Sequence, residues 1–144
     1  METAVLLAFM RAHKWAIEAS ASPAGAPQAA IIGIAVTEEL ELVFDTLLSS
    51  RKAENLKANP RAAFVIGGWN DADPRTLQYE GAADFPSGAE LERLKLVYYS
   101  AFPDGPTRLS WPGITYARVK PRWVRLSNFT VEPPAISERT FPAS

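Results

Sequence analysis

Apolar residues recur at helical spacing in three segments of the chain. These segments are residues 2–12, a stretch from Ser49 or Ser50 to about Ala58, and a stretch that opens at Ser87. In the first, Val5, Leu6, Phe9 and Met10 share one face, as expected for a helix packed on a core. The second begins at a serine suited to capping and is followed by Asn59-Pro60, which stops a helix. Ser87 and Glu90 of the third have the spacing of a capping box.

Short apolar runs bounded by turn residues predict β-strands between these helices. The predicted strands cover residues 15–20, 28–37, 41–46, 61–69, 75–84, 114–120 and 122–129. Residues 28–37 are nearly all small or β-branched, which predicts a strand buried on both faces. Leu77 and Tyr79 alternate with polar residues, so the strand over 75–84 should bury one face. Pro121 is expected to separate the last two strands.

The order of these elements predicts the fold class. Short turns join consecutive strands, which favours antiparallel pairing. Six or seven short strands in a chain of 144 residues indicate a mainly β domain with flanking helices, closed into an antiparallel barrel. We expect this domain to cover residues 1–130. Residues 131–144, which contain Pro133, Pro134 and Pro142, are expected to form an extended tail.

Composition excludes several kinds of chemistry. The chain has no cysteine and one histidine, His13, so thiolate sites, cysteine nucleophiles and histidine-rich metal sites are excluded, and we expect no metal. The net charge is −1, whereas nucleic-acid binders are normally basic. No segment approaches the roughly 20 apolar residues of a membrane span or has the form of a secretory signal. We therefore expect a cytoplasmic location, with neither a nucleic acid nor a membrane as partner.

The start of the second helix is the most informative segment for function. A strand ending at Thr46 is followed by a short loop and then by Ser50-Arg51-Lys52. A helix N-terminus presents free N–H groups and the positive end of the helix dipole, so it can bind an anion such as phosphate. Arg51 and Lys52 would add two charges, although cations in a first turn oppose the dipole. The alternative interpretation is a capped helix whose Arg and Lys side chains face water.

Several segments taken together carry a family resemblance. They are residues 25–30 (Gly-Ala-Pro-Gln-Ala-Ala), 42–46 (Leu-Val-Phe-Asp-Thr), 50–56 with Asn59-Pro60-Arg61, 78–83 (Gln-Tyr-Glu-Gly-Ala-Ala), and 111–113 with 121–125. With these segments the chain resembles the pyridoxamine 5′-phosphate oxidase-like family, the FMN-binding split β-barrels. The resemblance runs from about Leu7 to Phe129 and so covers nearly the whole chain.

The resemblance implies a cofactor, an assembly and a set of site residues. It implies a homodimer with FMN at the interface between subunits. Ser50, Arg51 and Lys52 would bind the flavin phosphate, with a contact from Thr46 in the segment that also contains Asp45. The ring would lie along Ala30 and Ile31, with Gln78 at its edge and Trp111 approaching from the partner subunit.

The chain also departs from true pyridoxamine phosphate oxidases. Those enzymes carry an Arg and a Lys on the strand matching residues 28–35, a Gln at the position of Thr76, and a His late in the chain, all absent here. We therefore expect flavin-dependent redox chemistry on a different small molecule, with a nicotinamide nucleotide as a candidate electron donor. No residue stands out as a catalytic acid or base. The alternatives are a reductase of the same fold that uses the deazaflavin F420, and a flavin-binding module without turnover.

Overall fold

The chain, described over residues 1–143 by a computed structural model, forms a curled antiparallel sheet with helices around it. The strands are β1 (Trp15–Ala21), β2 (Pro27–Gly33), β3 (Ala35–Val36), β4 (Leu42–Leu47), β5 (Arg61–Gly67), β6 (Thr76–Asp84), β7 (Ile114–Asn128) and β8 (Ala135–Thr140). The α-helices are α1 (Thr3–Arg11), α2 (Arg51–Ala58) and α3 (Gly88–Ala101), and a 3-10 helix covers Gly105–Ser110.

All strand pairs are antiparallel, and their order is β2-β1-β5-β6-β7-β4-β3, with β8 also paired to β7. The long strand β7 pairs with β4 through its first part, residues 114–119, and with β8 through its last part, residues 123–128. The predicted fold class, a mainly β antiparallel split barrel with flanking helices, is confirmed. The seven predicted strands become eight: β8 forms within residues 131–144 and Ala35–Val36 is a separate short strand, while the two predicted last strands are one strand, β7.

Alternation along the strands places the main core inside the curl of the sheet. On β6, Leu77 and Tyr79 are fully buried, as predicted. The Tyr79 hydroxyl donates to the carbonyl oxygens of Leu40 and Val119 at 2.9 and 3.0 Å, which satisfies the polar end of a buried ring. Helix α1 packs on this core through Leu6, Phe9 and Met10.

A second, smaller core lies between α3 and the sheet. Leu94 and Tyr98 of α3 pack with Ala35, Val43 and Tyr116. The predicted apolar face of this helix is therefore confirmed, but the predicted capping box is wrong. Within residues 1–143, Ser87 makes no side-chain capping bond. Glu90 instead accepts bonds from Arg93 and Arg118, and these ionic partners outcompete a neutral backbone N–H.

The strand predicted over residues 28–37 is wrong in two respects. It is divided into β2 and β3, because the pairing with β1 ends at Ile34, whose N–H donates to the Lys14 carbonyl at 2.8 Å, and Ala35–Val36 pair with β4 instead. It is also not buried on both faces, since β2 is an edge strand and Ile31 is 72% exposed. Its outer face, with Ala29 and Ile31, is exposed, which the composition of the segment does not reveal.

Pro121 does not divide the last part of the sheet, contrary to prediction. Residues 114–128 form one strand, and the irregularity at Pro121 is absorbed by a register shift between Glu80 and Gly81 of β6. Trp123 pairs with Glu80 and Pro121 pairs with Gly81, so Arg122 is the extra residue of a bulge. A bulge accommodates a proline that cannot donate to the ladder.

The C-terminal residues form part of the sheet. Residues 135–140 are extended, as expected of the tail, and pair with β7 of their own chain. Within the described range 1–143, no helix combines the length and apolar character needed to cross a membrane.

We predict that Gly81→Ala destabilises the fold, because a Cβ at Gly81 would overlap the Lys120 carbonyl oxygen and lie 2.7 Å from Val119 Cγ1. Backbone atoms in a paired ladder cannot move aside cheaply, so the free energy of unfolding should fall by about 1–3 kcal/mol. Urea denaturation measures this loss. Gly33→Ala is the matched control, since the atoms nearest its new methyl group belong to the outer end of the Phe102 ring, a side chain that can shift where backbone cannot. An equal loss in both variants would contradict the bulge argument.

Candidate functional site

Strand β4 leads directly into a capped helix. Ser50 precedes α2 in extended conformation, and its Oγ accepts from the Ala53 N–H at 3.2 Å. The Thr46 hydroxyl lies 2.9 Å from Ser50 Oγ and is hydrogen-bonded to it. Thr46 is buried, so this bond ties the end of β4 to the start of the helix. Of the two predicted caps, Ser49 and Ser50, the structure uses Ser50.

The two cationic side chains at the start of α2 have no hydrogen-bond or ion-pair partner within residues 1–143. Arg51 is exposed and Lys52 is half-buried, and over residues 1–143 neither side chain forms a hydrogen bond or an ion pair. This sets them apart from the many arginines of the fold that are paired with carboxylates. Cations at a helix N-terminus lose electrostatic stability, which a bound anion would restore.

The loop after the 3-10 helix lies against the start of α2. The Leu48 N–H donates to the Gly113 carbonyl at 2.8 Å, continuing the ladder in which Leu47 pairs with Ile114. Trp111, two residues before Gly113, is 51% exposed. Trp111 therefore does not belong to the core of its own chain. Its loop lies next to the residues that precede Ser50 in the same chain.

Asp45, predicted at the site with Thr46, is held by other side chains. Its carboxylate accepts from Arg108 Nε at 2.7 Å and from the Tyr98 hydroxyl at 3.1 Å. Burial, together with the charge of Asp45, raises the pKa of Tyr98, so this phenol stays protonated and keeps donating. Because Arg108 belongs to the 3-10 helix that ends at Trp111, Asp45 fixes the loop of Trp111.

The other predicted residues lie on the sheet. One row crosses the outer face from strand to strand, in the order Ile31, Ile17, Val65, Gln78, Arg125 and Glu138. Ile31, Ile17 and Val65 are 72%, 36% and 37% exposed, so half of the row is an apolar surface open to solvent. Ile31 and Gln78 are three strand spacings apart, about 14 Å. A groove of about 280 Å³ runs along this face beside Gln78 and Trp123.

Ala30 faces the opposite, inner side of β2 and pairs with Glu18 of β1. Beside them, Ser20 accepts a bond from Asn55 Nδ2 of α2 at 3.2 Å and donates to Gln28 Oε1 at 3.3 Å. Glu18, Ser20 and Asn55 are all buried. This polar cluster joins β1 and β2 to the helix that carries Arg51 and Lys52.

Within one chain the predicted site residues therefore fall into two groups. Thr46, Ser50, Arg51, Lys52 and the loop of Trp111 come together at the start of α2, while Ile31 and Gln78 lie on the outer face of the sheet. Sequence reasoning missed two residues, Arg108 and Glu18. The spacing of Asp104 and Arg108 suits an (i, i+4) ion pair, which forms, but nothing in the sequence indicated the bond to Asp45. The apolar neighbours of Glu18 in β1 were the available signal for its burial.

The sequence profile of the pyridoxamine 5′-phosphate oxidase family matches residues 3–127. The chain therefore belongs to this family, as the resemblance predicted. No protein in the curated set matches the chain.

Solved structures with the same fold differ in what they bind. A heme binding protein from Mycobacterium smegmatis matches with a TM-score of 0.82 and 17% identity, over 97% of this chain and 58% of that one. A pyridoxamine 5′-phosphate oxidase-related, FMN binding protein from Nostoc punctiforme matches with a TM-score of 0.66 and 16% identity, over 97% and 94%. HutZ, a heme storage protein from Vibrio cholerae, matches with a TM-score of 0.70 and 15% identity, over 85% and 92%. The chain thus spans little more than half the length of the Mycobacterium protein, and the likeness establishes the fold.

We predict that Asp45→Asn lowers the free energy of unfolding by about 1–3 kcal/mol, because it leaves Arg108 without its less exposed anion. Asp104→Asn is the matched control, since Asp104 pairs with the same guanidinium at 3.0 Å but its side chain is 67% exposed, against 15% for Asp45. An exposed pair contributes less than about 1 kcal/mol. Chemical denaturation of both variants tests the difference, and equal losses would contradict the anchoring role of Asp45.

Proposed function

We propose that the protein binds FMN, with its phosphate at the start of α2. The observation that carries the proposal is the pair of unpartnered cations, Arg51 and Lys52, beside a capped helix N-terminus. Arg51 would grip phosphate oxygens with two N–H groups, Lys52 would add a point charge, and the first backbone N–H groups of α2 would complete the donor set. The donor set therefore fits a phosphate monoester. When bound, FMN would supply the redox chemistry, while the protein orients it.

Two of the matched structures are named for heme, but the histidine of this chain is poorly placed to bind it. His13 Nδ1 is 2.9 Å from the Phe9 carbonyl, and its ring packs between Phe9 and Trp69. Its other nitrogen, Nε2, faces Gly67, where even an added Cβ would lie only 3.0 Å away. An iron bound by Nε2 would need that space. His13 is also the chain's only histidine, so FMN is favoured.

The proposed site is shared between two copies of the chain. The outer row that begins with Ile31, Ile17 and Val65 is an apolar surface on an edge of the sheet, and contiguous exposed apolar surface marks association sites. A shallow groove on one small barrel cannot bury a flat tricyclic ring, whereas a second subunit would cover it. Trp111, exposed and outside its own core, would then contribute to the enclosure. The tail does not support the dimer, since residues 135–140 pair with their own chain.

The proposed activity is flavin-dependent oxidation or reduction of a small molecule, with a nicotinamide nucleotide as electron donor. F420 ranks second because its longer, more acidic tail would call for basic residues in addition to Arg51 and Lys52. A flavin-binding module without turnover is the non-enzymatic alternative. Reduction of the bound flavin by a nicotinamide nucleotide, followed by reoxidation by a substrate or oxygen, separates an enzyme from such a module.

We predict that Arg51→Ala weakens FMN binding by about 1.5–3 kcal/mol, the contribution of a charged hydrogen bond. Riboflavin, which lacks the phosphate, should bind the variant and the parent equally. Lys57→Ala, in the last turn of the same helix, is the control and should leave both affinities unchanged. Flavin fluorescence titrations give the affinities. An equal loss for riboflavin would refute the phosphate role, and binding of heme without binding of FMN would refute the cofactor.

We predict that Ile31→Asp shifts a dimer to monomers and weakens FMN binding in parallel, because a carboxylate in the apolar row must be desolvated on association. Dimerisation should weaken at least about tenfold, or roughly 1.4 kcal/mol. Leu96→Asp is the matched control, because Leu96 of α3 is also 72% exposed. Sedimentation over a dilution series, with and without FMN, measures both effects, since FMN must tighten a dimer that it prefers. A monomer that binds FMN as tightly as the dimer would refute the shared site.

A further inference from the structure

Glu18 is a fully buried carboxyl group in the middle of β1. It lies between Ala30 of β2 and Phe64 of β5, and its exposed fraction is 0%. Among residues 1–143, neither carboxyl oxygen has a hydrogen-bond partner. A buried ionised carboxylate without partners is so costly that such a group takes up a proton instead. A buried carboxyl group without a hydrogen-bond partner requires an explanation from the groups around it.

The elements packed around Glu18 provide one charge. The neighbours on β2 and β5, namely Gln28, Ala30 and Phe64, are uncharged, and the buried face of α2 contributes Ala53, Asn55 and Leu56. The Ser20 hydroxyl lies nearby and is uncharged; it donates to Gln28 and accepts from Asn55. The bond from Asn55 to Ser20 holds α2 against β1, and the charge of Lys52, in the first turn of that helix, is the one that reaches Glu18. Arg51 and Glu54 of the same turn are exposed.

Burial and Lys52 act on Glu18 in opposite directions. Burial raises the pKa of Glu18, and this effect dominates, while the nearby Ser20 hydroxyl and the charge of Lys52 lower it in part. The protonation of Glu18 therefore depends on whether the field of Lys52 is available to it.

We propose that Glu18 is a proton-linked residue of the anion site at the start of α2, which takes up a proton when a phosphate group binds to Lys52. This inference rests on the proposed FMN site and adds a form of regulation to it. It assigns the buried acid a role that neither packing nor hydrogen bonding explains.

The physical steps follow from the charges. A phosphate at Arg51 and Lys52 neutralises the ammonium that favours ionised Glu18, and its own negative charge repels the carboxylate. Both effects favour the neutral acid, so the bound state holds its proton to higher pH than the free state. FMN affinity is then greatest at pH values below the free-state pKa of Glu18. Between the free-state and bound-state pKa values the affinity falls by up to about tenfold per pH unit, and above the bound-state pKa it is constant.

The phosphate itself titrates in the opposite sense. Its second ionisation, near pH 6, adds charge and strengthens binding to cations as pH rises. The contribution of Glu18 must therefore be isolated by comparing protein variants at the same pH, not by one pH profile.

The test uses the full chain with FMN as the probe. The ¹³C shift of the Glu18 carboxyl, assigned by its loss in Glu18→Gln, is titrated in the free protein, in the FMN complex and in Lys52→Met. Calorimetry in two buffers of different ionisation enthalpy counts protons taken up on binding. We expect a higher Glu18 pKa in the FMN complex and in free Lys52→Met than in the free parent. We also expect the parent to take up protons on binding FMN. This uptake should be reduced in Glu18→Gln and unchanged in the control Glu92→Gln, because Glu92 is an exposed carboxylate of α3.

The outcomes separate this inference from the proposed function. FMN binding with an unmoved Glu18 pKa, or with equal proton uptake in the parent and in Glu18→Gln, overturns the role of Glu18 and leaves the FMN site intact. An unchanged pKa in free Lys52→Met overturns the coupling through Lys52. Absence of FMN binding overturns both proposals. If Glu18→Gln fails to fold, the Glu18 carboxyl signal is assigned through its correlations to the Glu18 backbone, and the titration of the parent and of Lys52→Met still decides.

Discussion

The pairing of β4 with β7 is the constraint on which the candidate site depends. The ladder runs from Leu42 opposite Val119 to Leu47 opposite Ile114, and one further bond joins the Leu48 N–H to the Gly113 carbonyl. It therefore fixes where β4 stops and α2 starts, and it brings the loop of Trp111 to the same place. Without this register, Ser50 and Trp111 would be unrelated segments some 60 residues apart.

The same junction is held from two further sides. On the outside, Arg108 ties the 3-10 helix to Asp45 at 2.7 Å, one residue before the threonine that binds Ser50. On the inside, Asn55 ties α2 to Ser20 of β1. A helix of eight residues has little stability of its own, so these tertiary bonds determine its direction. The cations Arg51 and Lys52 thus project from a rigid base, which is the requirement for specific anion binding.

Local patterns in the sequence predicted the elements well and their surroundings less well. The alternation of Leu77 and Tyr79 and the serine at the start of α2 act through near neighbours, so they were visible in the sequence. The exposure of Ile31 was not, because it depends on β2 being at the edge of the sheet. The bulge at Pro121 depends on a glycine in another strand, and the bond of Asp45 depends on an arginine 63 residues away. Each of these failures concerns a partner that is distant in sequence.

One chain completes only the first of the two groups of site residues. The cluster at α2 is complete in one chain, because its cap, its cations and its anchoring bonds all come from neighbouring elements. The outer row is not complete, because three apolar side chains in a line face solvent while the inner face of the same strands is closely packed. An anion bound at the first group would still leave a planar ring exposed at the second. In the proposed site, phosphate recognition would therefore belong to the single chain, whereas burial of the ring would require the surface of a second subunit, and the affinity for a whole flavin should reflect both.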